Sequence, residues 1–189
     1  MKYDIILSGV GGQGVLSVGA IIAQSAMKAG FQVKQSEVHG MAQRGGAVLA
    51  NLRISDTDIA ADLIGMKTAS MVLSMEPLES LRYIGYLADD GILVTSKNPV
   101  ENISNYPDTE DVYAQIKKLP AFKIIDSNAL AREAGSMLAT NMVMVGAASA
   151  TLPINDEILE AAIVQIFAAK GDHVVEVNLK AFRAGKAAA

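Results

Sequence analysis

The segment YDIILSGVGGQGVLS, residues 3–17, predicts how the chain begins to fold. Residues 3–8 form a short apolar run that ends at a glycine, which is typical of a buried parallel strand. From Gln13 onward, apolar residues recur at helical spacing until Gly30, where we expect the helix to end. The glycines between these two patterns therefore connect a strand to a helix.

The same alternation continues along the chain and indicates its fold class. Further strands are predicted at residues 31–36, 47–54, 70–75, 92–96 and 122–126, with residues 37–46 forming a loop. Further helices are predicted from Pro77 to just before Gly91, near residues 109–118, and from Asn155 as N-cap to Lys170. This pattern predicts a single α/β domain over residues 1–189, with one doubly wound, mostly parallel sheet covered by helices on both faces, as in Rossmann-like folds.

The composition narrows the classes of function. Apolar residues make up 51% of the chain and charged residues 19%, so a core can be buried with apolar surface left for a partner. The net charge of -4 and the scattered Lys and Arg argue against nucleic acid as a partner. Without cysteine, the chain cannot hold thiolate-bound iron-sulfur clusters. His39 and His173 lie far apart, so we expect no metal site.

Two long uncharged stretches, residues 5–27 and 135–155, could be taken for membrane segments. The first contains five glycines and follows Asp4 instead of a basic region, so it fits neither a signal peptide nor a spanning helix. The second is interrupted by polar residues and by Pro153, which suits a helix packed inside protein. Gly146 and the alanines beside it would let another element approach, either within this domain or from a partner. We expect no membrane contact and a cytoplasmic location.

The first glycine loop, residues 9–14, contains G-x-G-x-x-G between the predicted strand and helix. In this context Gly9 permits the tight turn, Gly11 lets the backbone approach a diphosphate, and Gly14 allows the helix to pack on the strand. Because the N–H groups of a helix start attract anions, we predict phosphate binding here. The candidate binding residues are Gly9, Gly11, Gly12, Gln13 and Gly14. The alternative is a tight connection that binds nothing.

The second glycine loop, residues 36–46, reads SEVHGMAQRGG and is rich in hydrogen-bonding groups. We expect it to lie beside the first loop at the carboxyl ends of the strands, where ligands of open α/β sheets bind. Arg44 offers a planar fork for a phosphate or carboxylate, although an ion pair with a surface acid would also explain it. A structural role would also explain His39. The candidate binding residues here are Glu37, His39, Gly40, Gln43, Arg44, Gly45 and Gly46.

Glu37 raises the alternative of a free-standing NAD-dependent oxidoreductase. It lies 28 residues after Gly9 (37 − 9), a little beyond the usual position of the acid that bonds the ribose of NAD. A separate substrate domain is missing. A further alternative is a scaffold subunit whose glycine loops only pack against a partner.

Two motifs together carry a family resemblance. GVGGQGVLS, residues 9–17, followed by SEVHGMAQRGG closely resembles the γ-type subunit of 2-oxoacid:ferredoxin oxidoreductases, and the EVHGMAQRGG form is most similar to the β subunit of indolepyruvate oxidoreductase. The EPLE segment at residues 76–79 and NMVMVGAASATLPI at residues 141–154 also match. So does the ending, with Asn178, Ala181, Phe182 and Gly185. The resemblance spans nearly the whole chain.

The resemblance implies a complex that oxidatively decarboxylates a 2-oxoacid, such as indolepyruvate or pyruvate, to an acyl-CoA and passes electrons to ferredoxin. It implies that thiamine diphosphate and iron-sulfur clusters reside in a larger partner subunit, in agreement with the absence of cysteine here. This chain would then complete the complex and help to bind coenzyme A, and none of its residues is assigned as acid, base or nucleophile. When isolated, it could form a homo-oligomer.

Overall fold

A computed structural model of the chain describes residues 1–39 and 45–189. The strands are β1 (Lys2–Val10), β2 (Gln32–His39), β3 (Ala47–Ser55), β4 (Ala69–Ser74), β5 (Leu87–Ser96) and β6 (Phe122–Ile125). The helices are α1 (Val15–Lys28), α2 (Pro77–Arg82), α3 (Thr109–Ile116), α4 (Ser127–Ala134), α5 (Thr140–Ser149), α6 (Asp156–Phe167) and α7 (Asp172–Ala187).

The six strands form one sheet in the order β2-β3-β1-β4-β5-β6. The pairs β1–β4, β4–β5 and β5–β6 are parallel, whereas β3 runs antiparallel to both β1 and β2. The other five strands therefore share one direction, and their carboxyl ends lie along one edge, which we call the carboxyl edge. The predicted α/β class, with a mostly parallel sheet, is confirmed.

Both faces of the sheet are covered, which explains the continuous apolar run in β1. Ile5 and Leu7 pack in a core cluster with residues of α1, α5, α6 and α7. Ile6 points the other way, into a smaller cluster that contains Val112 and Ile116 of α3. A strand buried on both sides has no polar face, so its sequence does not alternate.

The stretch of residues 135–155 contains a core helix of this domain. Residues 142–149 of α5 are all buried. A β-carbon on Gly146 would overlap the carbonyl oxygen of Phe182 in α7, and one on Gly185 of α7 would overlap the carbonyl oxygen of Val143. The two glycines thus let α5 and α7 cross at close range, and the alternative of a partner-facing α5 is wrong.

Several predicted boundaries are wrong for identifiable reasons. The second strand continues to His39, because Val38 and His39 still pair with Leu49 and Val48 of β3, so residues 37–39 do not belong to the loop. The N-cap position of Asn155 is confirmed, although its side chain forms no capping hydrogen bond.

The helix that begins at Pro77 stops at Arg82 instead of continuing toward Gly91. A 3₁₀ turn follows, and β5 begins at Leu87. Gly91 is therefore inside a strand and does not end a helix. A β-carbon there would lie 2.7 Å from the carbonyl oxygen of Ala69, beside an irregularity in the β4–β5 pairing. Glycine in a strand often marks such a close backbone approach.

Candidate functional site

The first glycine loop joins the carboxyl end of β1 to the start of α1. Gly14 is the N-cap of α1 in the left-handed conformation (φ 76°), and no side chain caps the helix. The first turn of α1 contains no acidic residue. Gly12 also has a positive φ, 102°, and is exposed, with open space where a β-carbon would lie. Because the first amides of a helix lack partners within it, this loop offers N–H groups to an anion.

Gly9 and Gln13 serve the connection itself. A β-carbon on Gly9 would lie 2.9 Å from Cγ2 of Val15 and 3.0 Å from Cβ of Met75, so the glycine allows α1 and the end of β4 to pack against β1. The Gln13 side chain accepts a hydrogen bond from the Val10 N–H (2.8 Å) and donates one to the Met75 carbonyl (3.0 Å). These two residues shape the loop, whether or not it holds a ligand.

The described part of the second glycine loop lies beside the first. The Gly11 N–H donates to the Gly46 carbonyl (2.8 Å), and the Gly45 N–H donates to the Gly11 carbonyl (3.3 Å). Gly40, Gln43 and Arg44 and the side chain of His39 lie outside the described part of the chain. Their assignment to a binding site stays a prediction.

Glu37 does not have the surroundings that the NAD alternative needs. It pairs with Ala50 of β3, which in turn pairs with Leu7 of β1, so a whole strand separates Glu37 from β1. Its exposed carboxylate accepts a hydrogen bond from Gln35 (2.9 Å). In dinucleotide-binding folds the ribose-binding acid ends the second strand of the first βαβ unit, directly beside the strand that precedes the glycine loop. The position of Glu37 therefore gives the NAD alternative no support.

A small cleft of about 80 Å³ opens beside the carboxyl ends of β1 and β4. The connection after β1 leads to β2 at one edge of the sheet, whereas the connection after β4 leads to β5 on the other side. In open α/β sheets this switch point is where ligands bind. The residues that line the cleft end or follow four different strands, or belong to α5. They include Gln13, Met75, Ser96, Asn98, Ser127 and Thr140. Except for Gln13, these residues were absent from the predicted binding site, although the positions of Met75, Ser96, Asn98 and Ser127 at or just after the ends of parallel strands could have indicated them.

Asn98 organises the polar wall of this cleft. Its Oδ1 accepts hydrogen bonds from the Ser127 hydroxyl (3.1 Å) and the Asn128 N–H (2.9 Å). Its Nδ2 donates to Asp126 (3.2 Å). The N–H of Ala129, with smaller contributions from Asn98 and Lys97, holds the pKa of Asp126 below its usual range. The wall is therefore a fixed network beside a charged carboxylate at neutral pH.

The start of α5 lies against the start of α1. A β-carbon on Gly14 would lie 3.1 Å from Nδ2 of Asn141. The N-cap of α5 is Ala139, and no side chain caps this helix. Thr140 lines the cleft. Two helix starts, with the Asn141 amide between them, thus meet at the first glycine loop, and both contribute positive potential there.

A segment between β5 and α3, residues 98–108, crosses the carboxyl edge, and we call it the strap. The buried carboxylate of Glu76 accepts hydrogen bonds from the N–H of Val100 (3.3 Å) and from the hydroxyl of Tyr106. Asn102 donates from Nδ2 to the carbonyl of Gly45 (2.8 Å). The strap therefore connects the end of β4 to the second glycine loop.

The described part of the chain contains no group of three or more His, Cys, Asp or Glu residues placed to hold a metal ion. Within residues 1–39 and 45–189, no helix combines the length and apolar character needed to cross a membrane.

The six-stranded sheet and the glycine loop at its switch point define a doubly wound α/β fold. Residues 4–188 match the family described as pyruvate ferredoxin/flavodoxin oxidoreductase. The chain therefore belongs to this family. The resemblance to γ-type subunits of 2-oxoacid:ferredoxin oxidoreductases is confirmed.

Individual relatives agree with this assignment. Indolepyruvate oxidoreductase subunit IorB of Pyrococcus horikoshii is 36% identical over 100% of this chain and 96% of its own length. The γ subunit of the keto/oxoacid ferredoxin oxidoreductase of Geobacter sulfurreducens is 26% identical, with a TM-score of 0.71 over 98% of this chain and 96% of that one.

A longer protein contains the same fold. The 2-oxoglutarate:ferredoxin oxidoreductase of Magnetococcus marinus, solved with 2-oxoglutarate, coenzyme A and succinyl-CoA bound, is 24% identical, with a TM-score of 0.78. The match covers 98% of this chain but 30% of that chain, so there the fold is one part of a larger polypeptide.

Proposed function

We propose that this chain is a subunit of an indolepyruvate-type 2-oxoacid:ferredoxin oxidoreductase complex. The complex would oxidatively decarboxylate an aryl 2-oxoacid to an acyl-CoA and pass the electrons to ferredoxin. The full-length similarity to an indolepyruvate oxidoreductase subunit supports this choice of 2-oxoacid. Thiamine diphosphate and the iron-sulfur clusters would lie in a larger partner subunit, since this chain has no cysteine to bind a cluster.

Within the complex, the first glycine loop would hold the diphosphate of coenzyme A. The observation that carries this proposal is the start of α1. No side chain caps this helix, and its first turn contains no acidic residue. Gly12, just before it, is exposed to solvent. The amide of Asn141 adds a donor beside Gly14. The presence of coenzyme A in the Magnetococcus marinus protein, which has the same fold, gives it further support.

Titration of the chain and of the reconstituted complex with coenzyme A, NAD and AMP tests the proposal. We expect coenzyme A to bind and NAD not to compete with it. Tighter binding of NAD would instead favour the dinucleotide enzyme, and no binding of any of the three would favour a scaffold.

Variants locate the site on the first glycine loop. Gly11→Val should weaken coenzyme A binding, because a bulky residue blocks the approach of a diphosphate to the backbone. Gly65→Val, in a loop where a β-carbon meets no atom closer than 3.7 Å, is the matched control. Asn141→Asp should weaken binding more than Asn141→Ala, since a carboxylate repels the diphosphate. Unchanged affinity in Gly11→Val and Asn141→Asp would make the loop a mere connection.

A further inference from the structure

One buried carboxylate holds the strap at two points. Glu76 is 1% exposed. Its Oε2 accepts the N–H of Glu79 (2.6 Å) at the start of α2, and its Oε1 accepts the N–H of Val100 and the hydroxyl of Tyr106. Burial and the hydrogen bond to Glu76 raise the pKa of Tyr106, so its phenol remains a donor at any ordinary pH. The two ends of the strap are therefore fixed to the carboxyl end of β4.

The middle of the strap reaches the second glycine loop through Asn102. Its Nδ2 donates to the Gly45 carbonyl at 2.8 Å, while the N–H of Gly45 donates to the carbonyl of Gly11 at 3.3 Å. Gly45 has a φ of 78°, which is strained for other residues. Residue 45 is thus bonded to the strap by its carbonyl and to the first glycine loop by its amide.

We propose that Asn102 is a positioning residue, which fixes Gly45 against Gly11 and so sets where the second glycine loop enters β3 at the carboxyl edge. Glu76 and Tyr106 act through it, because they hold the strap in place. This structural role does not depend on what the site binds. Its consequence for a ligand rests on the function proposed above.

Amide hydrogen exchange of the full chain, followed by NMR, tests the structural role. The amides of Gly11 and Gly45 report directly, because each donates across the two loops. Asn102→Ala should accelerate their exchange roughly threefold to tenfold, the factor expected for one hydrogen bond. Tyr106→Phe should do the same, because it frees one end of the strap. Exchange at Ile163, buried in α6, should not change, which separates local opening from a loss of global stability.

Asn105→Ala is the matched control, since Asn105 is an exposed asparagine of the same strap. Unchanged exchange at Gly11 and Gly45 in Asn102→Ala, or equal acceleration in Asn105→Ala, would overturn the inference. A double variant, Asn102→Ala with Tyr106→Phe, should exchange little faster than either single variant, because both changes release the same contact. Fully additive effects would also count against a single positioning device.

The Michaelis constant of the reconstituted complex for coenzyme A provides the second readout. Asn102→Ala should raise it roughly threefold to tenfold and leave kcat nearly unchanged, since one hydrogen bond that places the loop is lost and no reacting group is removed. Faster exchange with an unchanged Michaelis constant would uphold the role of Asn102 and overturn the proposed placement of coenzyme A.

Discussion

Side chains at the carboxyl edge are engaged mainly with the protein itself. Gln13 bonds the backbone at Val10 and Met75, and Asn98 bonds three neighbours, so neither has its polar groups directed wholly toward a ligand. The groups left open to a ligand are instead backbone amides at the start of α1 and the amide of Asn141. We expect such a site to recognise an anion through backbone amides, which agrees with the glycines of its sequence pattern.

Glu79, the last residue of the EPLE segment, is a buried acid whose carboxylate is only partly hydrogen-bonded within the described part of the chain. It is 3% exposed, its Oε2 has no hydrogen-bond partner there, and its Oε1 lies 3.1 Å from Nε of the half-exposed Arg82. Burial raises the pKa of Glu79, and the neighbouring Glu76 adds to this, while Arg82 opposes it. The charged form is therefore disfavoured in the folded protein.

This environment predicts how Glu79→Gln responds to pH. The pKa of Glu79 is higher in the folded protein than in the unfolded chain. The stability that this carboxyl contributes to the wild type is therefore fully present below its unfolded pKa, about 4.3, and is lost as pH rises through its folded pKa. Glu79→Gln should therefore gain melting temperature relative to wild type near pH 7, and this gain should shrink as pH is lowered toward 5. Thermal melts across this range check it, with exposed Glu133→Gln as control. A gain that does not vary with pH would contradict the argument.

At the scale of elements, sequence patterns predicted the strands and helices that depend on residues close to one another in the chain. The unit β1, glycine loop and α1 was predicted because a buried run, a turn and a helical repeat follow one another within 28 residues. The end of β2 and the start of β5 were missed because they are strands only through pairing with β3 and β4. The cleft was missed for a different reason, since its wall residues end or follow several strands and meet only because of the order of these strands in the sheet.

Helix α7 was not predicted, because Asn178, Ala181 and Gly185 weaken the apolar repeat on its buried side. Val177, Ala181 and Gly185 recur every four residues, with Asn178 and Phe182 beside them, and all five are buried. Four of these residues are those quoted for the family resemblance at the end of the chain. The packing of α7 on α5 explains their pattern without any role in chemistry.

The crossing of α5 and α7 predicts that Gly146→Ala is strongly destabilising. Alanine favours helix over glycine by about 1 kcal/mol, but here its β-carbon would overlap the Phe182 carbonyl. The helices must separate, so the free energy of unfolding should fall by about 1–3 kcal/mol or more. Urea denaturation measures it, and Gly65→Ala, in open surroundings, should change little. If Gly146→Ala is as stable as wild type, the two helices do not pack this closely.

At the scale of the whole molecule, the carboxyl edge combines the glycine loops with exposed apolar side chains. Leu16 and Val38 lie beside the two glycine loops, Ile103 lies in the strap, and Leu138, which is 90% exposed, precedes α5. Large apolar side chains grouped at one edge of a domain favour association. This is the surface from which we expect the isolated chain to self-associate.

The chain should not oxidise a 2-oxoacid by itself. It has no cysteine, so it cannot hold a thiolate-bound iron-sulfur cluster to pass electrons from the substrate to ferredoxin. The purified chain, assayed with indolepyruvate, coenzyme A and a viologen or ferredoxin acceptor, should therefore show no reduction of the acceptor. Addition of the larger subunit purified separately should start turnover, and that subunit assayed without this chain is the control. Two results would contradict this prediction. Either the chain alone reduces the acceptor, or the rate of the larger subunit does not change when the chain is added, and electron transfer then does not depend on the assembly of the two.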